Sequence, residues 1–411
     1  MADLSIGRAA GPAAGLPDIN GRVVGAALLA LLGGALWIGT DVSGRQAALY
    51  LIGGALGLVL YHALFGFTSA FRVFFSDRRG AGLRAQMIML ALACALFFPA
   101  LAAGTLFGTP VSGLVAPAGV SVLVGAFLFG IGMQLGGGCA SGTLYTVGGG
   151  STRMLVTLFF FIVGSVLGAY HLPWWQAQPS LPPVSLVTAW GWPVALAANL
   201  AVFAAVYAGT ILLEKRRHGR LIEQPAARTA GLARLLRGPW PLVWGAVALA
   251  LLNFATLALA GRPWGITAAF ALWGSKALAA AGVDVASWPF WQAPAQAKAL
   301  SGSVLADVTS VMDIGIILGA LLAAGLAGKF APVWRLPLRS LAAAVVGGVL
   351  LGYGSRLAYG CNIGAYFSGI ASGSLHGWVW IVTALIGNWL GTGLRPLFGL
   401  EVERTPRQTG C

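Results

Sequence analysis

The sequence predicts an all-α polytopic membrane protein with about ten transmembrane helices, short re-entrant helices and two inverted repeats. Three observations support this prediction. Of the 411 residues, 58% are hydrophobic and only 9% are charged, whereas soluble domains have about 25% charged residues. Ten apolar runs are long enough to cross the roughly 30 Å of hydrocarbon in a bilayer. Two glycine-rich segments, one in each half of the chain, repeat one pattern around a cysteine.

The ten predicted transmembrane helices follow from apolar runs separated by polar, glycine-rich or proline-rich residues. In chain order they lie at residues 23–39, 47–66, 85–107, 119–135, 153–171, 187–213, 241–260, 308–330, 338–355 and 376–394. Each run is apolar nearly throughout, which is typical of a helix surrounded by lipid.

The distribution of charge predicts the orientation in the membrane. The net charge is +14, but the basic residues are placed as in a membrane protein rather than as on a nucleic-acid-binding surface. With the N-terminus in the cytoplasm, the residues facing outwards, out of 25 Lys and Arg, are Arg45, Arg262, Lys276, Lys298 and Arg356. This arrangement obeys the positive-inside rule. We therefore predict a membrane protein with both termini in the cytoplasm and no nucleic-acid partner.

The repeated segments are residues 125–150 and 347–372. With a shift of 222 positions, Cys139 falls on Cys361. Five glycines also coincide, because Gly125, Gly130, Gly132, Gly138 and Gly142 fall on Gly347, Gly352, Gly354, Gly360 and Gly364. In the predicted topology the two copies enter from opposite sides. Inverted repeats of this kind are typical of transporters whose site lies at the repeat interface, near the bilayer midplane.

The repeat divides the chain into five parts. They are residues 1–46 (tail and first transmembrane helix), 47–213 (first repeat), 214–240 (basic linker), 241–395 (second repeat) and 396–411 (C-terminal tail). We interpret the linker as a solvated cytoplasmic loop, and a role at lipid headgroups is the alternative. Membrane lipid is a predicted partner in either case.

Each repeated cysteine lies in a break that should end one helix and begin a short second one. Backbone amides at the start of the short helices would be free, and the positive end of the helix dipole favours an anion there. Irregular backbone at this depth must be buried in protein or line a cavity. We therefore predict a narrow central passage that attracts anions. The candidate residues beside the cysteines are Gly138, Ser141, Gly142, Gly360, Asn362 and Gly364.

The cysteine residue type favours an anion that contains sulfur. A thiol in apolar surroundings stays protonated, adds no repulsive charge and offers a weak S–H donor to a soft partner. Alternatively, Cys139 and Cys361 are only small residues that allow close helix packing. Cys94, inside a predicted helix, and Cys411, the last residue, lack the repeated context. We interpret them as an apolar filler and as part of the tail.

A second pair of similar segments consists of residues 66–72, GFTSAFR, and residues 265–270, GITAAF. Each follows an apolar run and would open a further re-entrant helix. Thr68 or Thr267 is the expected N-cap, because threonine hydroxyls accept hydrogen bonds from amides in the first helical turn. Gly66 and Thr68 are therefore candidate site residues.

Two ionisable residues lie within or beside the apolar runs, where such groups indicate function. Arg356, at the repeat position of Gln134, would attract an anion that enters from outside. Asp313 is the candidate for carrying a proton. Alternatively, Arg356 and Asp313 simply pair with one another.

The motifs GGGCASG and YGCNIGAYFSGI, with SLHGWVW and FTSAFR, resemble those of the YeeE/YedE family of membrane proteins with sulfur-transport domains. The resemblance extends over about residues 49–394 and implies an hourglass-like bundle whose short helices meet centrally. It also implies import of thiosulfate, passed along by S–H to sulfur hydrogen bonds, with Cys139 and Cys361 at the two central family positions. A TusA-like sulfur carrier is the implied cytoplasmic partner.

One departure from the family pattern concerns the substrate. Gly66 stands where family members commonly have a further cysteine, so the relay implied by the resemblance lacks one thiol. Another sulfur or selenium compound is therefore an alternative to thiosulfate. Some family members are linked to selenium metabolism.

The main hypothesis is a bacterial inner-membrane importer of a small sulfur-containing anion that is not an enzyme and has no cofactor. The four histidines have no metal-like spacing, and no G-x-x-x-x-G-K-[ST] segment is present, so import would be facilitated or ion-coupled. The alternative is a membrane thiol or persulfide enzyme that transfers sulfur. It needs a thiolate activated by a nearby cation or by a helix N-terminus, and only Arg356 offers the cation. A scaffold subunit would leave the repeated cysteines unexplained.

Overall fold

We describe residues 18–222 and 230–404 from a computed structural model of the protein. Cys411, which enters the predictions above, lies outside the described residues, as do residues 223–229 in the basic linker.

The described chain is almost entirely helical. In chain order the helices are α1 (Gly21–Asp41), α2 (Gly44–His62), α3 (Phe67–Asp77), α4 (Ala81–Ala103), α5 (Val120–Gly136), α6 (Ala140–Gly148), α7 (Thr152–Gln176), α8 (Leu186–Trp190), α9 (Trp192–His218), α10 (Gly231–Arg237), α11 (Leu242–Ala260), α12 (Thr267–Ala280), α13 (Pro289–Gln292), α14 (Pro294–Ser301), α15 (Val308–Leu326), α16 (Leu338–Leu357), α17 (Gly369–Ala371) and α18 (Leu375–Leu394). A π-helix covers Asn362–Ser368, and 3-10 turns cover Val285–Ser287, Val304–Ala306 and Arg395–Phe398.

Strands make up very little of the described chain. β1 (Thr105–Leu106) pairs antiparallel with β2 (Thr109–Pro110), and β3 (Ala118–Gly119) pairs antiparallel with β4 (Ser180–Leu181). These two-residue ladders join connections between helices and form no layer of their own. The predicted all-α class is therefore confirmed.

The predicted transmembrane helices are present as helices. In the described part of the chain, nine helical segments are long and apolar enough to cross a membrane, with α2 running into α3 and α5 into α6. α18 is the tenth long helix; it has 20 residues but contains His376 and Asn388, which lower its mean hydropathy. The polytopic membrane class follows from these segments.

The two halves interlock through an exchange of helices. In the predicted repeat, α2, α4, α5 and α7 correspond to α11, α15, α16 and α18. α5 packs against its own counterpart, α16. The contact of α7 with α16 has its counterpart in the contact of α18 with α5. The contact of α2 with α15 has its counterpart in the contact of α11 with α4. Each contact between the halves therefore has a counterpart, as a two-fold relation between them requires.

Most of the repeated glycines are explained by this interlocking. A Cβ on Gly125 would lie 2.7 Å from the Gly354 carbonyl oxygen, and one on Gly354 would lie 2.5 Å from the Gly125 carbonyl oxygen. A Cβ on Gly130 would lie 2.8 Å from a backbone nitrogen of α18, and one on Gly352 would lie 2.7 Å from a backbone carbon of α7. Small residues that let backbones touch are typical of membrane helix interfaces.

We expect Gly354→Leu to destabilise the protein strongly, because overpacking a tight interior costs about 1–3 kcal/mol or more. Gly209→Leu on α9 is the matched control, since a Cβ at Gly209 meets nothing within 4 Å. Thermal unfolding of the purified proteins in detergent measures the difference. Equal melting temperatures for the two variants would contradict the proposed close approach of α5 and α16.

Candidate functional site

The first break places Cys139 at the start of a short helix. α5 ends at Gly136, and Gly137 has a φ of +93°, which favours glycine. Cys139 is the N-cap of α6, and its Sγ accepts a hydrogen bond from the Gly142 N–H at 3.4 Å. The Ser141 hydroxyl lies 3.3 Å from the same Sγ, and either atom can be the donor. The predicted short helix after Cys139 is confirmed.

The second break repeats this arrangement at Cys361. α16 ends at Leu357, and the turn contains Tyr359 at φ +54° and Gly360 at φ +149°. Cys361 is the N-cap of the π-helix, and its Sγ accepts a hydrogen bond from the Ile363 N–H at 3.4 Å. The sequence predicts the short helix but not its π geometry, which is frequent at functional sites.

The prediction of free amides at the two helix starts is wrong for the groups nearest the thiols. The N–H groups of Gly142 and Ile363 are occupied by the cysteine sulfur atoms, and the Thr143 N–H donates to the Cys139 carbonyl at 2.8 Å. The reason is that an N-cap side chain supplies an acceptor to just these donors. Because each sulfur already accepts a hydrogen bond, its S–H is the group that can contact an anion, and at Cys139 the Ser141 hydroxyl is a second acceptor within reach of the S–H.

The candidates beside the cysteines have different surroundings. A Cβ on Gly138 would lie 3.1 Å from the Thr143 nitrogen, and one on Gly142 would touch the Cys139 Sγ at 3.5 Å. Asn362 is fully buried, and neither polar atom of its side chain has a hydrogen-bond partner among the described residues. Leaving such a group unpaired is unfavourable, so Asn362 is suited to bind a polar ligand.

The short helices of both halves meet around the two cysteines. Phe67 of α3 packs edge-on against Tyr366 of the π-helix, with ring centroids 6.2 Å apart. Ser368, also in the π-helix, donates to the carbonyl of Trp264, just before α12, at 2.7 Å. α6 contacts the π-helix directly. All four short helices therefore converge on one buried region.

The predicted threonine caps of α3 and α12 are wrong. α3 begins at Phe67 with Gly66 as its N-cap, and α12 begins at Thr267 with Ile266 as its N-cap; neither has a side-chain cap hydrogen bond. Gly66 and Ile266 take the non-helical backbone angles, so both threonines lie inside the first turn. Thr68 is buried, and its hydroxyl has no partner among the described residues.

A cavity of about 290 Å³ lies beside the Cys361 break, and we call it the Arg356 cavity. Arg356 lines it and donates to the Thr267 hydroxyl at 2.9 Å. Arg262, Gly360 and Gly364 also line it, and its described lining contains no acidic residue. Two guanidinium groups without a lining carboxylate produce a positive potential that attracts anions. The volume holds a small anion together with water.

Arg356 and Asp313 do not form the ion pair that was the alternative interpretation. Within residues 18–222 and 230–404, the salt bridges involve other side chains. Asp313 is fully buried, and neither carboxylate oxygen has a hydrogen-bond partner there. It lies one helical turn after Thr309, which lines the Arg356 cavity,. The Arg356 guanidinium therefore remains available to an anion.

A second cavity, of about 430 Å³, lies at the start of α3, and we call it the Gly66 cavity. Gly66 and Ser69 line it, whereas residues 265–268 of the similar segment in the second half line the Arg356 cavity. The basic residue in its lining, Arg79, forms a salt bridge with Asp77 at 2.9 Å. An anion is therefore attracted less strongly to the Gly66 cavity than to the Arg356 cavity.

Arg72, which closes the segment GFTSAFR, is bound by the C-terminal end of the described chain. Its Nε and NH2 groups donate to the two carboxylate oxygens of Glu403 at 2.7 and 2.6 Å. These hydrogen bonds lower the pKa of the Glu403 carboxyl from its ordinary value,. Arg72 therefore anchors residues after α18 to α3.

A family model described as sulphur transport matches residues 62–390 of this chain. The chain belongs to the sulphur transport family. The match begins at the last residue of α2 and ends in α18, so it includes both cysteine breaks and both segments that line the cavities. The resemblance found in the motifs is thus confirmed.

Curated relatives match over two different lengths. The thiosulfate transporter TsuA of Spirochaeta thermophila is 28% identical over 356 residues, which are 82% of this chain and 96% of that protein. TsuA of Escherichia coli is 24% identical over 360 residues, 84% of this chain and 93% of that protein. The probable transporter YedE of Escherichia coli is 32% identical over 169 residues, but this match spans only 40% of each chain.

Three residues near the cavities were not predicted as site residues. Ser69 has a sequence signal, because it belongs to the segment that recurs in the second half. Arg262 has one as well, because it is among the few basic residues predicted to face outwards. Tyr145 has none, since Phe367 occupies its repeat position and only the structure shows where its side chain ends.

Proposed function

We propose that this protein imports thiosulfate across the bacterial inner membrane, from the Arg356 cavity past Cys361 and Cys139 to the Gly66 cavity. The proposal rests on the Arg356 guanidinium, which is available in a cavity whose described lining has no acidic residue. This cavity lies beside the break that holds the buried thiol of Cys361. The two TsuA relatives, matched along nearly their whole length, support thiosulfate as the first substrate to test.

The thiols solve the problem of moving an anion through a buried region. An anion that leaves the Arg356 cavity loses hydrogen bonds to water, which is unfavourable unless donors replace them. The S–H groups of Cys361 and Cys139 supply such donors without adding charge, and Asn362 adds an unpaired amide. Weak, successive contacts of this kind let an anion enter and also leave.

The charges of the two cavities favour capture of the anion on the outer side and its release on the inner side. By the positive-inside rule the Arg356 cavity faces outwards and the Gly66 cavity faces the cytoplasm, with both termini on the cytoplasmic side. The outer guanidinium is available, whereas the inner Arg79 is already paired with Asp77. A TusA-like carrier would receive the released anion at the Gly66 cavity, and lipid surrounds the long helices.

A membrane thiol or persulfide enzyme is the second candidate, because both thiols are N-caps of short helices. A helix N-terminus favours the thiolate form of a cysteine, whereas transport by S–H donation needs the neutral form. Alkylation rates measured against pH separate the two functions. Rapid alkylation near neutral pH favours the enzyme, and slow alkylation favours the transporter.

The deciding experiment is uptake of sulfur-labelled thiosulfate by cells that lack their own sulfate and thiosulfate importers. We expect saturable uptake when this protein is present in the membrane, with unlabelled thiosulfate competing best. Sulfite, sulfate and selenite are the other competitors. Uptake no higher than in cells without the protein, at verified membrane levels, would reject thiosulfate; stronger competition by selenite or sulfite would indicate the alternative sulfur or selenium substrate.

A further inference from the structure

Two hydroxyl groups lie beside Gly66, which lines the Gly66 cavity. A Cβ built on Gly66 would lie 2.5 Å from the Ser69 Oγ and 3.7 Å from the Tyr145 hydroxyl oxygen. Ser69 lines the cavity and donates to the Gly66 carbonyl at 3.1 Å. The space beside this glycine is therefore occupied by hydroxyl groups from two different helices.

Tyr145 connects this place to the first cysteine. It is part of α6, whose N-cap is Cys139, so one short helix carries both the thiol and the phenol. The Tyr145 hydroxyl reaches Gly66 at the start of α3. On the path proposed above, an anion that leaves Cys139 for the Gly66 cavity would meet the Tyr145 and Ser69 hydroxyls next.

We propose that Ser69 and Tyr145 form an inner anion-binding site, between Cys139 and the Gly66 cavity, that binds the oxygen atoms of the transported anion. The proposal rests on the proposed function and adds two binding residues to it. Thr68, a candidate from the sequence, is not part of this site, because the three heavy atoms nearest to a Cβ at Gly66 belong to Ser69 and Tyr145.

The chemistry of the two kinds of donor differs. An S–H is a weak donor and suits a soft, polarisable atom, whereas serine and tyrosine O–H groups are stronger donors and suit hard oxygen atoms. Thiosulfate carries both a terminal sulfur and oxygen atoms. The thiols therefore contact its sulfur end, and the inner site contacts its oxygen atoms before release into the Gly66 cavity.

The proposal also accounts for glycine at position 66. Its φ of −109° is open to any residue, so backbone conformation does not require glycine. Space does, because a Cβ would lie 2.5 Å from the Ser69 Oγ. A side chain at position 66 therefore requires the Ser69 hydroxyl to move from its present place, whereas glycine leaves the hydroxyl there.

The first test compares thiosulfate uptake by four single variants. We expect Tyr145→Phe and Ser69→Ala each to reduce the uptake rate about fivefold, the effect of one hydrogen bond of ordinary strength. Tyr50→Phe and Ser76→Ala are the matched controls, because each loses a hydroxyl that donates to a backbone carbonyl, as the Ser69 hydroxyl does, but neither residue is in the described lining of the Gly66 cavity. Uptake at wild-type rate in both test variants would overturn the proposal.

Rescue separates a binding role from a structural one. The double variant Gly66→Cys with Ser69→Ala has room for the new side chain and replaces the lost hydroxyl by a thiol. We expect it to regain at least half of the wild-type uptake rate, whereas Gly66→Ala with Ser69→Ala should not. If the two double variants transport equally, the donor at this place has no role in binding.

A binding measurement keeps the inference separate from the proposed function. In purified protein, the thiol introduced by Gly66→Cys with Ser69→Ala is alkylated in the presence of thiosulfate, sulfate or selenate, and its labelling is located by peptide mass. A small thiol peptide in the same mixture corrects for alkylating reagent that thiosulfate consumes. We expect one of these anions to slow alkylation, and added Tyr145→Phe to weaken that protection at least threefold. If cells take up no thiosulfate but an anion still protects the introduced thiol from alkylation, only thiosulfate import is rejected. If none of the three anions protects this thiol, the inner site is rejected.

Discussion

Cys139→Ala and Cys361→Ala should each reduce thiosulfate uptake to less than a tenth of the wild-type rate. Each replacement leaves a buried stretch of the path without its donor, and an unpaired polar group in such surroundings costs about 1–3 kcal/mol on mutational scales. An anion costs more. Cys94→Ala is the matched control, because Cys94 is also a free, buried thiol but donates to the Ile370 carbonyl at 3.7 Å. Its uptake should equal that of the wild type.

Serine variants separate the capping role of these cysteines from their role in transport. Both sulfur atoms accept a hydrogen bond from a helix N-terminus, and loss of a cap costs about 1 kcal/mol. Cys139→Ser and Cys361→Ser keep a cap acceptor, so we expect stable protein with uptake between that of the wild type and that of the alanine variants. Thermal unfolding checks stability. Wild-type uptake by both alanine variants would contradict the path proposed here.

The long helices could be predicted from the sequence because lipid demands long apolar runs, but their ends could not. The predicted run 187–213 is displaced from α9, which covers Trp192–His218. α9 begins late because Gly191 has a φ of +76°. It continues through charged residues because Glu214 is buried and accepts a hydrogen bond from Arg84 at 2.7 Å. An apolar run in a sequence stops at the first charged residue. A helix can continue past that residue when the charged side chain is buried and paired, as Glu214 is.

The place of the site could also be predicted, because two cysteines recur in the same glycine-rich context. The detailed geometry could not. Whether a threonine caps α3 depends on a shift of one or two residues, and Gly66 takes that position instead of Thr68. The repeat pattern also does not show what each repeated glycine does. Gly125 and Gly354 allow close helix packing, whereas Gly360 and Gly364 line a cavity. Only contacts between distant segments distinguish these uses.

The same limit applies to the charged residues. Arg356 and Asp313 are both consistent with a buried ion pair on sequence grounds, since nothing in the chain indicates which side chains they face. In the structure Arg356 donates to Thr267 of the opposite short helix, while Asp313 is buried without a partner among the described residues. The cation therefore lies in a cavity that an anion can enter, and this difference decides which residue to test first.

Arg356→Gln should raise the KM for thiosulfate uptake at least tenfold, with a smaller effect on the maximum rate. A hydrogen bond to a charged group contributes about 1.5–3 kcal/mol, and this variant removes the charge that concentrates the anion beside the Cys361 break. Glutamine is a suitable replacement, because Gln134 occupies the equivalent repeat position inside the membrane. The KM is measured from uptake at increasing thiosulfate concentration, with the amount of membrane protein determined in parallel.

Lys298→Gln is the matched control for net charge. Lys298 is exposed, lies on the same predicted side and is absent from the described lining of the Arg356 cavity, so its loss should leave the KM within twofold. Arg356→Lys keeps the charge but loses the planar guanidinium that reaches Thr267, and its KM should fall between those of the wild type and Arg356→Gln. An equal rise in KM for Lys298→Gln would assign the effect to long-range surface charge. An unchanged KM in Arg356→Gln would remove Arg356 from the path and leave the buried thiols without an entry site.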